Sequence, residues 1–289
     1  MKRDLQEPLA AFLACLHQPT QQEMDCQLAL LTTINLHQML SLHQKVMDTL
    51  PQFGMYRPYT PQELTDILKG GGQVLGAFAG DTLVAFRVIC WPEETPLNLG
   101  WHLGFSAQEL RQVIQLEGTI VHPHYRGNRL QQRLTIESLK RLPEARRQGC
   151  LLTAISPQNH TSLANMLGLG LVIAGYKEDR DQPAFSRFIL YRPLYAPVLI
   201  QPHTSRQVPL ADIARQRQWL HQGYVGYARG DSTITDSTIK NSTITITDST
   251  STDSISTGGF LEAENLTYAR PQGQPGDLNH TQQKEAARE

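Results

Sequence analysis

The sequence has 289 residues, a hydrophobic fraction of 40%, a charged fraction of 18% and a formal net charge of -1. Such a chain can bury a substantial core, and its near-zero net charge excludes a general attraction to nucleic acid or anionic membranes. The four cysteines form no CxxC pair, so the pattern indicates neither a zinc site nor a disulfide framework and favours a reducing cytoplasm. We expect no signal peptide and no membrane span, because no long uninterrupted apolar run occurs.

The first 90 residues are predicted to contain three helices, one strand and one β-hairpin. Residues 1–25 are predicted to form a peripheral helical extension, and residues 26–33 a strand followed by a helix that ends at Pro51. A second helix is indicated at Thr60-Pro61, where a threonine cap precedes a proline, and it stops at the glycines 70–72. Residues 73–90 then predict an antiparallel hairpin.

The middle of the chain alternates strands and helices. A β-rich run at 113–121 is followed by the basic loop HYRGNR and a helix that reaches about Leu142. The segment 151–156 is the next strand, followed by a short helix and two closing strands. This alternation predicts an α/β domain over residues 26–195, with parallel and antiparallel parts in one sheet.

Beyond Tyr195 the pattern weakens. Residues 196–230 are predicted to be a helical extension, with the helix itself at 209–224. Residues 231–256 consist almost entirely of Ser, Thr, Asp and Ile and are interpreted as a low-complexity insertion. Residues 257–271 are expected to form a terminal strand, and residues 272–289 a disordered tail.

The loop HYRGNRLQ (124–131) carries the most chemical information. Glycine allows close approach of the backbone to a ligand, and the amides at a helix N-terminus attract anions with the helix dipole behind them. Arg126 and Arg129 would add positive charge suited to a pyrophosphate. The alternative is a surface turn with two solvated arginines, and the segment alone does not decide between the two.

Two segments together resemble a known family. VHPHYRGNRLQQRL resembles motif A of the GNAT (N-acetyltransferase) family, whose signature is Q/R-x-x-G-x-G/A. Arg126 matches the first position, whereas Arg129 and Gln131 stand where the two glycines belong. Downstream, SPQNHTSLANMLGLGLVIAGY resembles motif B, in which Asn159 and Ser162 match N-x-x-S/A at the start of a helix.

The resemblance implies a GNAT-like mixed central sheet with helices on both faces, here with a C-terminal helix and strand added. It also implies acetyl-coenzyme A as cosubstrate and no metal. The cofactor-binding residues that it implies are Ile120, Val121, Arg126, Gly127, Asn128, Arg129, Leu130, Gln131, Asn159 and Ser162. Asn159 could instead be a plain helix cap.

The family often has a tyrosine four residues beyond the serine, as general acid toward the departing thiolate. This chain has Met166 there, and a methionine cannot donate a proton. Tyr125 and Tyr176 are possible substitutes on sequence distance alone.

Glu117 is the acid of the strand that precedes the loop, and similar enzymes often place a base there. If the strand has no bulge, alternation puts Glu117, Thr119 and Val121 on one face. The alternative is an exposed carboxylate or a partner for a nearby arginine. His122 and His124 are interpreted as loop residues.

The leading hypothesis is transfer of acetyl from acetyl-coenzyme A to an unidentified primary amine by direct attack, with a small molecule or a protein as acceptor and with no nucleic acid or membrane partner. The alternative is a non-catalytic module that binds acyl-coenzyme A, favoured by the missing glycines and tyrosine. A nucleotide-binding protein fits less well, because neither GxxxxGK[ST] nor GxGxxG occurs.

Overall fold

The computed structural model describes residues 9, 11–49, 56–229 and 265–271. The chain divides into two compact units. The first comprises Met1–Pro92 and Ile114–Pro143, and the second Glu93–Val113 and Glu144–Glu289. The predicted domain boundaries at 26 and 195 remain a prediction.

The described residues form strands and short helices. The strands are β1 (Phe12–His17), β2 (Gln22–Leu30), β3 (Gly72–Ala79), β4 (Thr82–Cys90), β5 (Val113–Val121), β6 (Cys150–Ile155), β7 (Val172–Lys177), β8 (Arg187–Pro193), β9 (Ile200–Pro209), β10 (Val225–Arg229) and β11 (Asn265–Pro271). The helices are α1 (Leu36–Met47), α2 (Pro61–Asp66), α3 (Ala107–Leu110), α4 (Leu130–Lys140), α5 (His160–Gly168) and α6 (Ile213–His221). None of these described helices has the length and apolar character that crossing a membrane requires.

In the first unit, each strand from β1 to β5 pairs antiparallel with the next. Helices cover both faces of this sheet. On one face, Met39 and Leu42 of α1 join a core with Phe86 of β4. On the other face, Leu134 of α4 packs in a core with Leu75 of β3. The predicted α/β class with helices on both faces is confirmed.

Helix α2 begins where the sequence predicts. The Thr60 hydroxyl accepts a hydrogen bond from the Glu63 amide, and the Glu63 carboxylate accepts one from the Thr60 amide. Pro61 occupies the first helical position, where its missing N–H costs nothing. The helical run ends at Gly70, whose φ of 128° a residue with a side chain rarely adopts.

The N-terminal extension is a β-hairpin where the sequence predicts a helix. Strand β1 pairs with β2 from Phe12↔Gln27 to His17↔Gln22. Leu13 and Cys15 alternate into the core. Pairing with a distant strand overrides local helix preference here, because burial of one face of β1 stabilises it more than propensity does. Residues 1–8 and 10 lie outside the described residues.

In the second unit, neighbouring strands pair antiparallel in the order β6, β8, β7, β10, β11, β9. Helix α6 and strand β11 confirm the predicted C-terminal helix and strand. Strands β9 and β10 were not predicted, since β9 is polar and contains prolines. The predicted insertion at 231–256 and the predicted tail at 272–289 lie outside the described residues.

We predict that deletion of residues 231–256 leaves the second unit folded. Arg229 of β10 is the register partner of Leu266 of β11, so the segment links adjacent strand ends, and shortening such a connection changes loop entropy only slightly. Thermal unfolding should shift by no more than a few degrees, with acetyl-coenzyme A affinity unchanged. A large drop in melting temperature would show that the segment contributes to the fold.

Candidate active site

The loop between β5 and α4 is held by its own backbone and histidines. Pro123–Tyr125 forms a short 3-10 turn. The His122 Nδ1 atom accepts a hydrogen bond from the His124 amide at 3.2 Å, as a capping side chain does. The turn therefore redirects the chain from the end of β5 into the residues that precede α4.

Two residues of this loop adopt left-handed backbone conformations. Gly127 has φ 85°, and Arg129, the N-cap of α4, has φ 54° and ψ 27°. Arg129 stands where the first signature glycine of the resembled family belongs. The arginine keeps a backbone conformation that glycine adopts freely, at a cost of about 1–2 kcal/mol for its Cβ.

The Asn128 side chain joins this loop to β1. Its Oδ1 accepts from the Leu16 amide at 2.7 Å, and its Nδ2 donates to the carbonyls of Leu16 and Tyr125 at 2.8 and 2.9 Å. The side chain thus pairs with β1 as another strand would. Because these bonds occupy the side chain, the predicted contact of Asn128 with the cofactor would be made by its backbone.

Further bonds strengthen this attachment of the loop to β1. The Gln18 amide donates to the His124 carbonyl at 2.8 Å, and the Gln18 Nε2 to the Arg126 carbonyl at 3.3 Å. Arg133 of α4 donates to the Ala14 carbonyl at 2.6 Å. The sequence gives no local signal of this role, because the predicted helical extension lies more than 100 positions away from the loop.

The start of α4 has the features that an anion needs. Leu130 is buried in the core below, and Gln131 is half-buried. The Arg126 side chain is exposed and donates to the Thr49 hydroxyl at 2.8 Å. Within the described ranges Arg126 has no ion pair. These residues fit the diphosphate of coenzyme A, since a helix N-terminus and an arginine both favour negative charge.

The two hydrophobic residues before the loop are strand residues. Ile120 is buried in the α1 side of the core, and Val121 is half-buried beside the α4 side. Their register partners on β4 are Phe86 and Ala85. A contact of either residue with a cofactor would therefore come from its backbone.

Glu117 lies in a β-bulge. Strand β5 pairs Leu116 with Ile89 and Gly118 with Val88, which leaves Glu117 without a partner on β4. The bulge breaks the strict alternation on which the common face of Glu117, Thr119 and Val121 depended. The common face was expected only for a strand without a bulge, so it does not follow for β5.

The Glu117 carboxylate is half-buried and accepts from the Gln115 Nε2 at 2.5 Å. Two tyrosine hydroxyls approach the next residue: a Cβ on Gly118 would lie 2.9 Å from that of Tyr59 and 3.1 Å from that of Tyr56. Burial raises the pKa of both tyrosines, and the Glu117 charge adds to the rise. Both phenols therefore stay neutral at physiological pH.

Arg87 carries a buried positive charge in the same part of the sheet. Its Nη1 donates to the Thr119 hydroxyl at 2.7 Å. Burial lowers its pKa to about 10, and the nearby Glu117 charge opposes this. In the described part of the chain, Glu117 forms no ion pair within salt-bridge distance. The sequence analysis did not identify Arg87, Tyr56 or Tyr59, because these residues belong to no recognised motif.

In the second unit, Asn159 is a helix cap. Its Oδ1 accepts from the Ser162 amide at 3.1 Å at the start of α5, which is the alternative that the sequence left open. Any contact of Asn159 or Ser162 with a cofactor stays a prediction. Met166 is buried in the same helix.

The two tyrosines considered as general acids have other contacts. The Tyr125 hydroxyl donates to the Met24 sulfur at 3.6 Å. The Tyr176 ring packs against Phe188 at 5.7 Å, and the Arg217 guanidinium lies 5.3 Å from its centroid.

The described residues contain no group of three or more His, Cys, Asp or Glu side chains arranged to hold a metal ion. Their four cysteines are all thiols.

No family model matches the chain, and no curated protein matches it. Solved structures do. The ribosomal-protein-S18-alanine N-acetyltransferase from Escherichia coli has 16% identity and a TM-score of 0.43, covering 58% of this chain and 94% of that chain. An N-acetyltransferase from Staphylococcus aureus Mu50 has 17% identity and a TM-score of 0.44, covering 59% and 99%. A Salmonella typhimurium protein with its cofactor acetyl-CoA has 14% identity and a TM-score of 0.42, covering 58% and 94%.

We predict that Arg129→Gly is about 1 kcal/mol more stable than Arg129→Ala, since both remove the side chain but only glycine relieves the left-handed Cβ strain. Urea unfolding of the two variants measures the difference. Equal stabilities would mean that position 129 does not hold this conformation in solution.

Proposed function

We propose that this chain is an acetyltransferase of the GNAT type, which transfers acetyl from acetyl-coenzyme A to a primary amine. The single observation that carries the proposal is the loop before α4. Its backbone is left-handed at Gly127 and at Arg129, and an exposed Arg126 stands beside the helix N-terminus. A helix N-terminus preceded by such a loop is suited to bind a diphosphate.

Bound acetyl-coenzyme A would supply the acetyl group as a thioester. The backbone of residues 126–131 and the Arg126 guanidinium would hold its diphosphate, and the β5 backbone at Ile120 and Val121 would lie along its pantetheine arm. The cofactor contacts predicted for Asn159 and Ser162 stay part of the proposal. We include a cytoplasmic location, which the unpaired cysteines favour.

Glu117 is proposed as the base that collects the proton of the acceptor ammonium, directly or through water. Burial raises the pKa values of Tyr56, Tyr59 and Cys90, so these groups hold their protons at neutral pH. A carboxylate is then the group of this cluster that can accept one. The bulge also leaves the Glu117 backbone outside the β4 ladder.

A module that binds acyl-coenzyme A without turnover is the second candidate. Met166 at the usual tyrosine position favours it, and so do the existing contacts of Tyr125 and Tyr176. The two candidates differ in one measurement. Incubation with acetyl-coenzyme A and a panel of polyamines, amino acids and peptides should release free thiol for an enzyme, and binding without thiol release would favour the module.

Glu117→Gln should preserve cofactor affinity and lower turnover at neutral pH by about 10²- to 10⁴-fold, the usual loss for a general base. The amide keeps the shape of the carboxylate and removes its basicity. Turnover measured from pH 6 to 10 should show a smaller deficit at high pH, where the amine is already neutral.

Glu63→Gln is the matched control, since Glu63 is a glutamate of the same unit paired with Arg57. It should keep normal turnover. Wild-type turnover of Glu117→Gln at every pH would remove Glu117 from the mechanism.

Arg126→Ala should weaken acetyl-coenzyme A binding by about 1.5–3 kcal/mol, the range of a charge-assisted hydrogen bond. Lys140→Ala removes a positive charge at the opposite end of α4 and should bind normally. Calorimetric titration measures both, and equal affinity of the wild type and Arg126→Ala would show that the cofactor loop is misplaced.

A further inference from the structure

A buried arginine of the first unit is left without a charge partner. Arg87 of β4 is 2% exposed, and its Nη1 donates to the Thr119 hydroxyl at 2.7 Å. Its Nε and Nη2 atoms are buried and have no hydrogen-bond partner in the described ranges. None of the ion pairs formed by those residues includes Arg87. Buried charged donors without partners are unfavourable, so this guanidinium points to a ligand.

The two unpaired donors lie on the same edge of the guanidinium. Nε and Nη2 present N–H bonds that run side by side, and their spacing matches the two oxygens of a carboxylate. The Thr119 hydroxyl holds the remaining nitrogen, Nη1, and Thr119 is the register partner of Arg87 on β5. The sheet therefore fixes the guanidinium and leaves the edge that recognises a carboxylate unpaired.

Glu117 places the opposite charge nearby without touching Arg87. Burial lowers the pKa of Arg87, and the Glu117 charge is among the groups that oppose this fall. Glu117 precedes Thr119 by two residues, about 7 Å along an extended strand, and its carboxylate accepts from the Gln115 Nε2. Its side chain is half-buried, so the region is not closed to solvent. A positive and a negative group thus lie near each other with no ion pair between them.

This arrangement of charges fits an α-amino acid better than it fits a plain anion. In an α-amino acid a single carbon joins the ammonium and the carboxylate, so the groups that bind them must lie close together without neutralising each other. The ammonium would lie against Glu117, and the carboxylate against the Nε–Nη2 edge of Arg87. A phosphate would bring up to two negative charges close to Glu117 and gain only one cation. The phenols of Tyr56 and Tyr59, which burial keeps protonated, add no charge of either sign.

We propose that Arg87 is a specificity-determining residue, which binds the α-carboxylate of a free amino acid while Glu117 holds its ammonium. The inference rests on the proposed function, and it narrows the acceptor from primary amines in general to amino acids. A polyamine or a protein lysine has no carboxylate at that position and would leave the Arg87 edge unpaired.

The transfer is then balanced as follows. Glu117 takes one proton from the ammonium, and the nitrogen lone pair forms an amide bond with the acetyl carbon. The C–S bond breaks, and the departing thiolate takes up the second nitrogen proton. The products are an N-acetyl amino acid and the coenzyme A thiol.

The first test needs only the wild-type protein. Each standard amino acid with a primary amine is compared with its amide, and with the amine that lacks its carboxylate, by thiol release from acetyl-coenzyme A. We expect kcat/KM for the accepted amino acid, corrected for the fraction of neutral amine, to exceed both others by about 10- to 100-fold. Equal or faster acetylation of the amide or the amine, or acetylation of polyamines or peptides alone, would overturn the role of Arg87 and leave the proposed function standing.

Two substitutions test the arginine itself. Arg87→Met fills the buried volume without a charge, and Arg87→Lys keeps the charge without the planar edge. Both should raise the KM of the amino acid about 10- to 100-fold and bring its preference over the amine close to one, with the Kd of acetyl-coenzyme A unchanged. An unchanged preference in both variants contradicts the proposal.

The preference is a ratio of two rates measured on the same sample, so a lower fraction of folded protein cancels from it. Arg192→Met is the matched control. Arg192 is a buried arginine of β8, in the second unit, and its Nη1 donates to the Leu169 carbonyl. This variant should keep the wild-type preference. If neither Arg87 variant folds, the wild-type comparison of acid, amide and amine still decides.

If no acceptor releases thiol, the proposed transfer fails and equilibrium binding decides on the carboxylate site. Calorimetry then compares the affinity of the wild type for each amino acid with its affinity for the corresponding amide, with and without acetyl-coenzyme A. Selective binding of an amino acid over its amide, lost in Arg87→Met, supports the site. Equal or undetectable binding of every such pair overturns it.

Discussion

The hydrogen bonds of Asn128 to Leu16 and Tyr125 are the interaction on which the rest of the site depends. The loop contains two left-handed residues, one of them an arginine, and such a loop keeps its form only when its surroundings fix it. Three hydrogen bonds, each contributing about 0.5–1.5 kcal/mol, offset the strain at Arg129. Without them, only the bonds of Gln18 and Arg133 would join the N-terminal hairpin to the loop and α4.

That attachment also sets where charge collects. It brings His17 to the loop histidines, whereas Glu117 lies five residues earlier on β5, about 16 Å along an extended strand. The three histidines and Arg126 therefore lie where β5 ends, whereas Glu117 lies in the middle of β5, near phenols that burial keeps neutral. The strand thus separates the proposed diphosphate loop from the proposed base.

Arg129 shows how a departure from a motif can leave the geometry intact. Read from the sequence, an arginine in place of glycine puts close backbone approach in doubt. In the structure, the arginine adopts the left-handed conformation that a glycine there would take, so the path of the chain is preserved and the change is a cost in stability. The motif describes a backbone shape, and residue type is one way of securing it.

Sequence alone determined what depends on neighbouring residues. The Thr60-Pro61 cap, the 73–90 hairpin and the Asn159 cap all follow from local patterns, because hydrogen bonds within a few positions decide them. The predicted N-terminal helix was wrong, and the sequence did not decide whether β5 has a bulge at Glu117. The phenols beside Glu117 and the meeting of His17 with His124 were not foreseen. These features depend on contacts between residues tens to more than a hundred positions apart, and only the tertiary structure decides which of those contacts form.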